Sequence, residues 1–197
     1  MKIIFLFFLF INLVAEENHS FRIAYGKVNA NDLGEILMGD WQTHSNDLRV
    51  LSLDGGYLLS KNYFDLPIDI YAKIGAAYFD EDSVYNDIYE ATFYIKAYYK
   101  FLDEKMRFGL AEGISYTSGT LLCESMEAEL KEDNTSKFLN YLDISLDINL
   151  GRVFDSKSLK NTYLGYAIKH RSGVFTLYNN VSHGGSNYNT LYIESNF

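Results

Sequence analysis

His170 and Ser172 stand two residues apart in the stretch Lys169-His170-Arg171-Ser172-Gly173. A serine hydroxyl becomes a nucleophile when an imidazole within hydrogen-bond reach takes its proton. On an extended strand, residues i and i+2 share a face and their backbone positions lie about 6.6 Å apart. An imidazole leaning along such a strand reaches the hydroxyl, which is the minimum for an activated serine. Asn187 falls in the next extended segment. In an antiparallel pair with 170 opposite 187 or 189, Asn187 lies beside His170 and holds the ring in one tautomer, as Asn does in Cys-His-Asn proteases. Backbone amides near Gly173 are the expected donors to a developing oxyanion.

These residues need a scaffold of strands, and the hydropathy pattern supplies one. In Phe138–Leu150 the even positions Leu142, Ile144, Leu146, Ile148 and Leu150 are aliphatic, while Asp143, Ser145, Asp147 and Asn149 alternate with them. A helix would mix these faces, so the period of two predicts a strand. Residues 67–78 and 89–101 repeat the pattern, and 20–28, 48–59, 105–118, 161–172 and 187–197 carry weaker versions. The fold class read from this is all-β, an eight-stranded antiparallel up-and-down transmembrane β-barrel. Turns at 60–66, 102–104 and 153–160 are short, whereas 29–47, 79–88, 119–137 and 173–186 are mostly longer and rich in Asn, Asp and Ser. Short turns at one end and long loops at the other are the layout of an outer-membrane barrel.

Composition agrees. With 48% hydrophobic and 16% aromatic residues the chain is far from disordered, and its single Cys excludes a disulfide scaffold. An excess of 26 acidic over 17 basic residues argues against nucleic acid as a partner. Residues 1–15, MKIIFLFFLFINLVA, have the basic start, apolar run and small terminal residue of a signal peptide, leaving 16–197 as the barrel domain. Export and the barrel together place the protein in the cell outer membrane of a Gram-negative bacterium. Phe197, with Ile193 and Leu191 in phase, resembles the terminal signal read by barrel-assembly machinery.

The rival architecture is a soluble barrel of lipocalin type, with the apolar face inside and the polar face outside. Three features favour the membrane barrel. Asp69, Glu90, Asp143 and Asp147 share the polar faces with Lys73, Lys96 and Arg107 and would pair in a packed lumen. Aromatics gather near strand ends, as in interfacial girdles. The terminal Phe is the third. Among the other ionisable residues, Glu194 has the phase of the lumen. Glu112 interrupts an apolar face and is expected to be turned aside by a bulge among its glycines. Cys123 lies in a loop with no base nearby, within a stretch (121–132) able to form a short helix. His19 and His44 are not spaced as metal ligands, so no metal and no cofactor is expected.

The segment His170-Arg171-Ser172-Gly173 resembles the H-x-S motif of PagL-type lipid A 3-O-deacylases, eight-stranded outer-membrane barrels with a Ser-His-Glu triad. The motif covers roughly the last 35 residues, and the strand layout extends the likeness over the mature chain. The resemblance implies a serine esterase in which Ser172 attacks an acyl ester of lipopolysaccharide and His170 acts as base and then acid. Asn187 stands where the family has its Glu, and Gly173 where the family has an Asn. Substrate contacts are expected from Gly173 and, to the lipid's phosphates, from Lys169 and Arg171. The alternative is a non-enzymatic barrel of the same architecture with a structural, adhesive or small-solute role.

Overall fold

The computed structural model describes residues 18–82, 86–174, 177–182 and 185–197. The segment expected to be a signal peptide lies outside the described residues. Eight strands follow in order: β1 (His19–Asn29), β2 (Arg49–Ser60), β3 (Ile68–Asp80), β4 (Ile88–Phe101), β5 (Met106–Thr117), β6 (Phe138–Asn149), β7 (Thr162–Ser172) and β8 (Gly185–Asn196). Each pairs antiparallel with its neighbour, and β8 pairs with β1 to close the barrel. Every strand ends within two residues of the segment predicted from periodicity. Among the described residues three short α-helices lie in the connections: α1 (Leu33–Leu37), α2 (Leu122–Lys131) and α3 (Leu150–Val153).

The alternation resolves which face is which. Along β6, Leu146 is 45% exposed on the outer wall, while Asp143 and Asp147 are buried in the lumen beside Tyr141 and Ser145. Ile23, Leu53, Ile74, Phe93, Ile95, Leu110, Leu164 and Ile193 continue an apolar belt around the outside. This inverts the soluble carrier and matches the membrane barrel. Among the described residues no helix is long and apolar enough to cross a membrane, so the belt belongs to the strands.

The lumen is filled by paired charge. Arg22 meets Asp54 at 3.0 Å and Asp143 at 2.9 Å, and Lys96 also pairs with Asp143. Glu194 receives Lys73 at 2.5 Å and Arg107 at 3.3 Å, while Arg107 binds Asp147 at 2.8 Å. The hydroxyls of Tyr94, Tyr98 and Tyr192 donate to Asp54, Glu194 and Asp147. Buried charges survive only when paired and hydrogen-bonded, and Asp54, Asp143, Asp147 and Glu194 each have at least two partners.

Toward the outer end the ionic layer gives way to an apolar one of Val28, Val50, Phe79, Ile88 and Tyr188, sealed by Leu121 and Cys123. Helix α2 therefore caps the lumen. Its Glu124 accepts from Arg171 at 2.7 Å and from Ser186 at 2.8 Å. Glu81 accepts the Leu122 backbone N–H at 2.6 Å and keeps its other oxygen buried without a hydrogen-bond partner among the described residues. Burial pushes the Glu81 carboxyl above the usual carboxylate range, the Leu122 bond opposing it. It pushes the Cys123 thiol up as well, so that residue stays an unreactive packing group.

Candidate active site

The outer ends of β6, β7 and β8 bring the predicted residues together. In the β7–β8 register His170 is opposite Asn187 and Ser172 opposite Gly185. In the β6–β7 register Leu142 is opposite His170 and Asn140 opposite Ser172. His170 and Ser172 share the outward face and line one groove of about 420 Å³ on the outer wall.

The polar contacts fix the imidazole. His170 Nδ1 lies 2.7 Å from Asn187 Oδ1, and Asn187 Nδ2 donates to the Asn31 carbonyl at 3.0 Å. With its NH₂ donated to a carbonyl, the amide presents its oxygen to the ring, an arrangement that matches the tautomer with the proton on Nδ1. In that tautomer Nε2 is a lone-pair acceptor, the form a general base requires. The two side chains of His170 and Ser172 are not hydrogen-bonded to each other among the described residues. In substrate-free sites such contacts commonly tighten only on binding.

The residues next to the pair are placed differently from expectation. Lys169 and Arg171 were expected to meet lipid phosphates, but both point into the lumen. Lys169 is 5% exposed, reaches Glu90 at 2.6 Å and stands over the Tyr141 ring. Arg171 is fully buried and donates to Ser115, Thr117, Glu124 and the Lys137 carbonyl. The alternation that sends His170 and Ser172 outward sends the intervening residues inward. Gly173 does line the groove. A Cβ there would sit 2.1 Å from the Val181 carbonyl oxygen, so only glycine allows this approach. Val174 follows at φ 44°, a strained conformation for a β-branched residue.

Glu112 is also corrected. The β4–β5 and β5–β6 registers run unbroken through it, so no bulge turns it aside. It faces outward at the groove's edge, opposite Leu142, which separates it from His170. Glu194 sits in the lumen as its phase predicts.

Sequence reasoning identified the first outer loop, observed as 30–48, but missed where it lies. It drapes down the outside of the barrel instead of standing above it. Trp41 stacks on outward-facing Tyr166 with ring centroids 5.7 Å apart, about 13 Å below His170 at strand rise. Its Nε1 donates to the Ile36 carbonyl, and the Tyr166 hydroxyl donates to Asn189. Asp32 and Leu33, at the start of α1, form one wall of the groove, and Glu127 of α2 adds to it. Lys131 ties these walls, 2.6 Å from Glu127 and 3.8 Å from Asp32. The available signal was the run of polar outward positions Lys27, Asn29, Asn187 and Asn189, which an apolar belt does not tolerate unless something covers them.

A closed eight-stranded barrel with an apolar exterior and an ionic lumen belongs structurally to the class of outer-membrane barrels. The chain is similar to the crystal structure of the outer membrane enzyme PagL, with a TM-score of 0.60, 12% identity, and coverage of 90% of this chain and 99% of that one. It is also similar to the N-terminal β-barrel domain of Pseudomonas aeruginosa OprF, with a TM-score of 0.53, 10% identity, and coverage of 91% and 98%. No family model matches the sequence, and no curated protein does. At these identities the likeness establishes the fold.

Proposed function

We propose that this protein is an outer-membrane serine esterase that removes an acyl chain from the lipid A part of lipopolysaccharide. The observation that carries the reading is the 2.7 Å contact of His170 Nδ1 with Asn187 Oδ1 on the outward face that Ser172 shares. With Asn31 holding the Asn187 amide and Asn187 accepting from Nδ1, Nε2 would be the unprotonated nitrogen that serves Ser172 as base. Ser172 Oγ would attack the ester carbonyl while Nε2 takes its proton, and the imidazolium would return that proton to the leaving alkoxide. Water, deprotonated by the same nitrogen, would then release the fatty acid from the acyl-enzyme. Asn187 orients the ring without offsetting the imidazolium's charge. An outward-facing site suits a substrate that is itself part of the membrane. Because Asp32, Glu112 and Glu127 line the groove, the acyl ester rather than a phosphate belongs over Ser172.

The test is mass spectrometry of lipid A from cells expressing the wild type or Ser172→Ala. Loss of one hydroxyacyl chain only with the wild type is the expected result. Identical lipid A from both, with the barrel folded in the outer membrane, refutes the reading. One observation favours a second reading, a non-enzymatic barrel: the residue bonded to His170 is a neutral amide where the family it resembles has a carboxylate. Under that reading Ser172→Ala leaves every phenotype unchanged. The filled lumen leaves it a structural or adhesive role and argues against a solute channel.

A further inference from the structure

A serine esterase needs more than a nucleophile and a base, because attack puts negative charge on the carbonyl oxygen. Donors aimed at that oxygen supply a large part of catalysis. The groove's side-chain donors are mostly committed. The Asn187 amide is held by His170 and Asn31, and the Ser182 hydroxyl donates to Asp133. The Gly185 backbone N–H donates to Glu127. Lys169 and Arg171 are in the lumen.

Asn140 is the exception. It has the outward phase of β6, lines the groove, and is directly opposite Ser172. Cross-strand partners have Cβ atoms about 4.5–5.5 Å apart, so its amide and the Ser172 hydroxyl are neighbours. It is only 6% exposed, yet its side chain makes no hydrogen bond among the described residues. Its amide is not among the polar atoms sealed from solvent without a partner; what remains accessible of the residue opens on the groove, where a substrate oxygen can meet it. Described residues of the fourth loop pack on the strand's start beside it: Tyr178 meets Phe138 with centroids 5.5 Å apart, and Asn179 donates to Ser136.

We infer that Asn140 is an oxyanion-stabilising residue of this site, its Nδ2–H donating to the carbonyl oxygen as Ser172 adds to the ester carbon. The inference rests on the esterase reading above. No proton transfers in this contact. The N–H shortens its bond to the oxygen as the C=O π pair moves onto it, and relaxes when the carbonyl re-forms and the alkoxide leaves. The seat of this donor is the strand beside the nucleophile, so the Gly at 173 need not carry a side-chain donor.

The test uses the refolded full-length barrel in detergent micelles with a p-nitrophenyl acyl ester as probe. Wild type, Ser172→Ala, Asn140→Ala and the isosteric Asn140→Asp are compared, each shown folded by its heat-modifiable gel shift. Both Asn140 variants should lose about 10²–10³-fold in kcat with KM within about threefold. Asn140→Asp keeps the side chain's shape, so it remains informative if the Ala variant fails to fold. A kcat for Asn140→Asp within about threefold of wild type, with Ser172→Ala inactive, overturns the assignment and leaves the esterase reading intact. Wild type no faster than Ser172→Ala overturns both.

Discussion

Replacing Asn187 separates a catalytic role from a structural one, because two substitutions there should move activity in opposite directions. The amide oxygen accepts from His170 Nδ1 at 2.7 Å, and the amide NH₂ donates to the Asn31 carbonyl at 3.0 Å. Asn187→Ala removes the acceptor just when the ring becomes an imidazolium. A hydrogen bond to a charged group contributes about 1.5–3 kcal/mol, so kcat should fall about 10- to 150-fold. Asn187→Asp keeps the geometry and adds a full negative charge. At about 4 Å and an effective dielectric of about 20 that charge attracts the imidazolium by about 4 kcal/mol. The amide already contributes part of this, so a net gain of about 2 kcal/mol, or about 30-fold in kcat, is expected. The same carboxylate faces the Asn31 carbonyl, acceptor against acceptor, so the variant should be less stable by about 1–3 kcal/mol. The assay is ester turnover by the purified barrel in micelles, with urea unfolding of the same variants in liposomes. A fall in both activity and stability for Asn187→Asp would show that Asn187 only packs, and the argument for the relay would fail.

Three further outcomes follow from the geometry. Glu194→Gln leaves Lys73 and Arg107 short of a counter-charge in the lumen, and folded stability should drop by about 3–5 kcal/mol, read from the same urea titration. Gly173→Ala forces a Cβ to within 2.1 Å of the Val181 oxygen, so turnover should be lost while the gel shift of the folded barrel is retained. Glu81 has its carboxyl raised by burial; the unfolded chain therefore loses that proton first, and wild-type stability falls as pH rises through the raised value. Glu81→Gln should be the more stable form at pH 8 and lose that advantage near pH 4, with thermal melts at the two pH values as the check.

The strands were legible because a residue's face follows from its parity, and parity survives along a strand such as Phe138–Asn149 whatever the loops do. The pairing of His170 with Asn187 was legible for the same reason: neighbouring strands and one register suffice. The same parity, applied to Lys169 and Arg171, already sends them inward. Glu112 was misread through its glycines. Gly109 does not loosen the strand; its missing side chain makes room in the lumen for Ser145, Lys96 and Tyr98, which a Cβ would meet at 2.4, 2.8 and 3.0 Å. The first loop has no periodicity to read, and its position depends on Trp41 finding Tyr166, a contact between residues far apart in sequence. Asn140 broke the apolar phase of its strand, and that break was the trace of a covered groove.

Arg22 of β1 and Glu194 of β8 are register partners across the closing seam, yet each is tied to more distant strands, Arg22 to Asp54 and Asp143, Glu194 to Lys73 and Arg107. A slip of two residues at that seam keeps every apolar side chain facing out and preserves the ladder of backbone hydrogen bonds. Hydrophobic matching alone therefore cannot detect it. The slip would, however, displace one strand's charge from its counter-ions by about 6.6 Å and leave buried ions unpaired. The ionic lumen thus works as a combination lock on closure: the first and last strands can zip in many offsets, and only one of them leaves no ion unmatched.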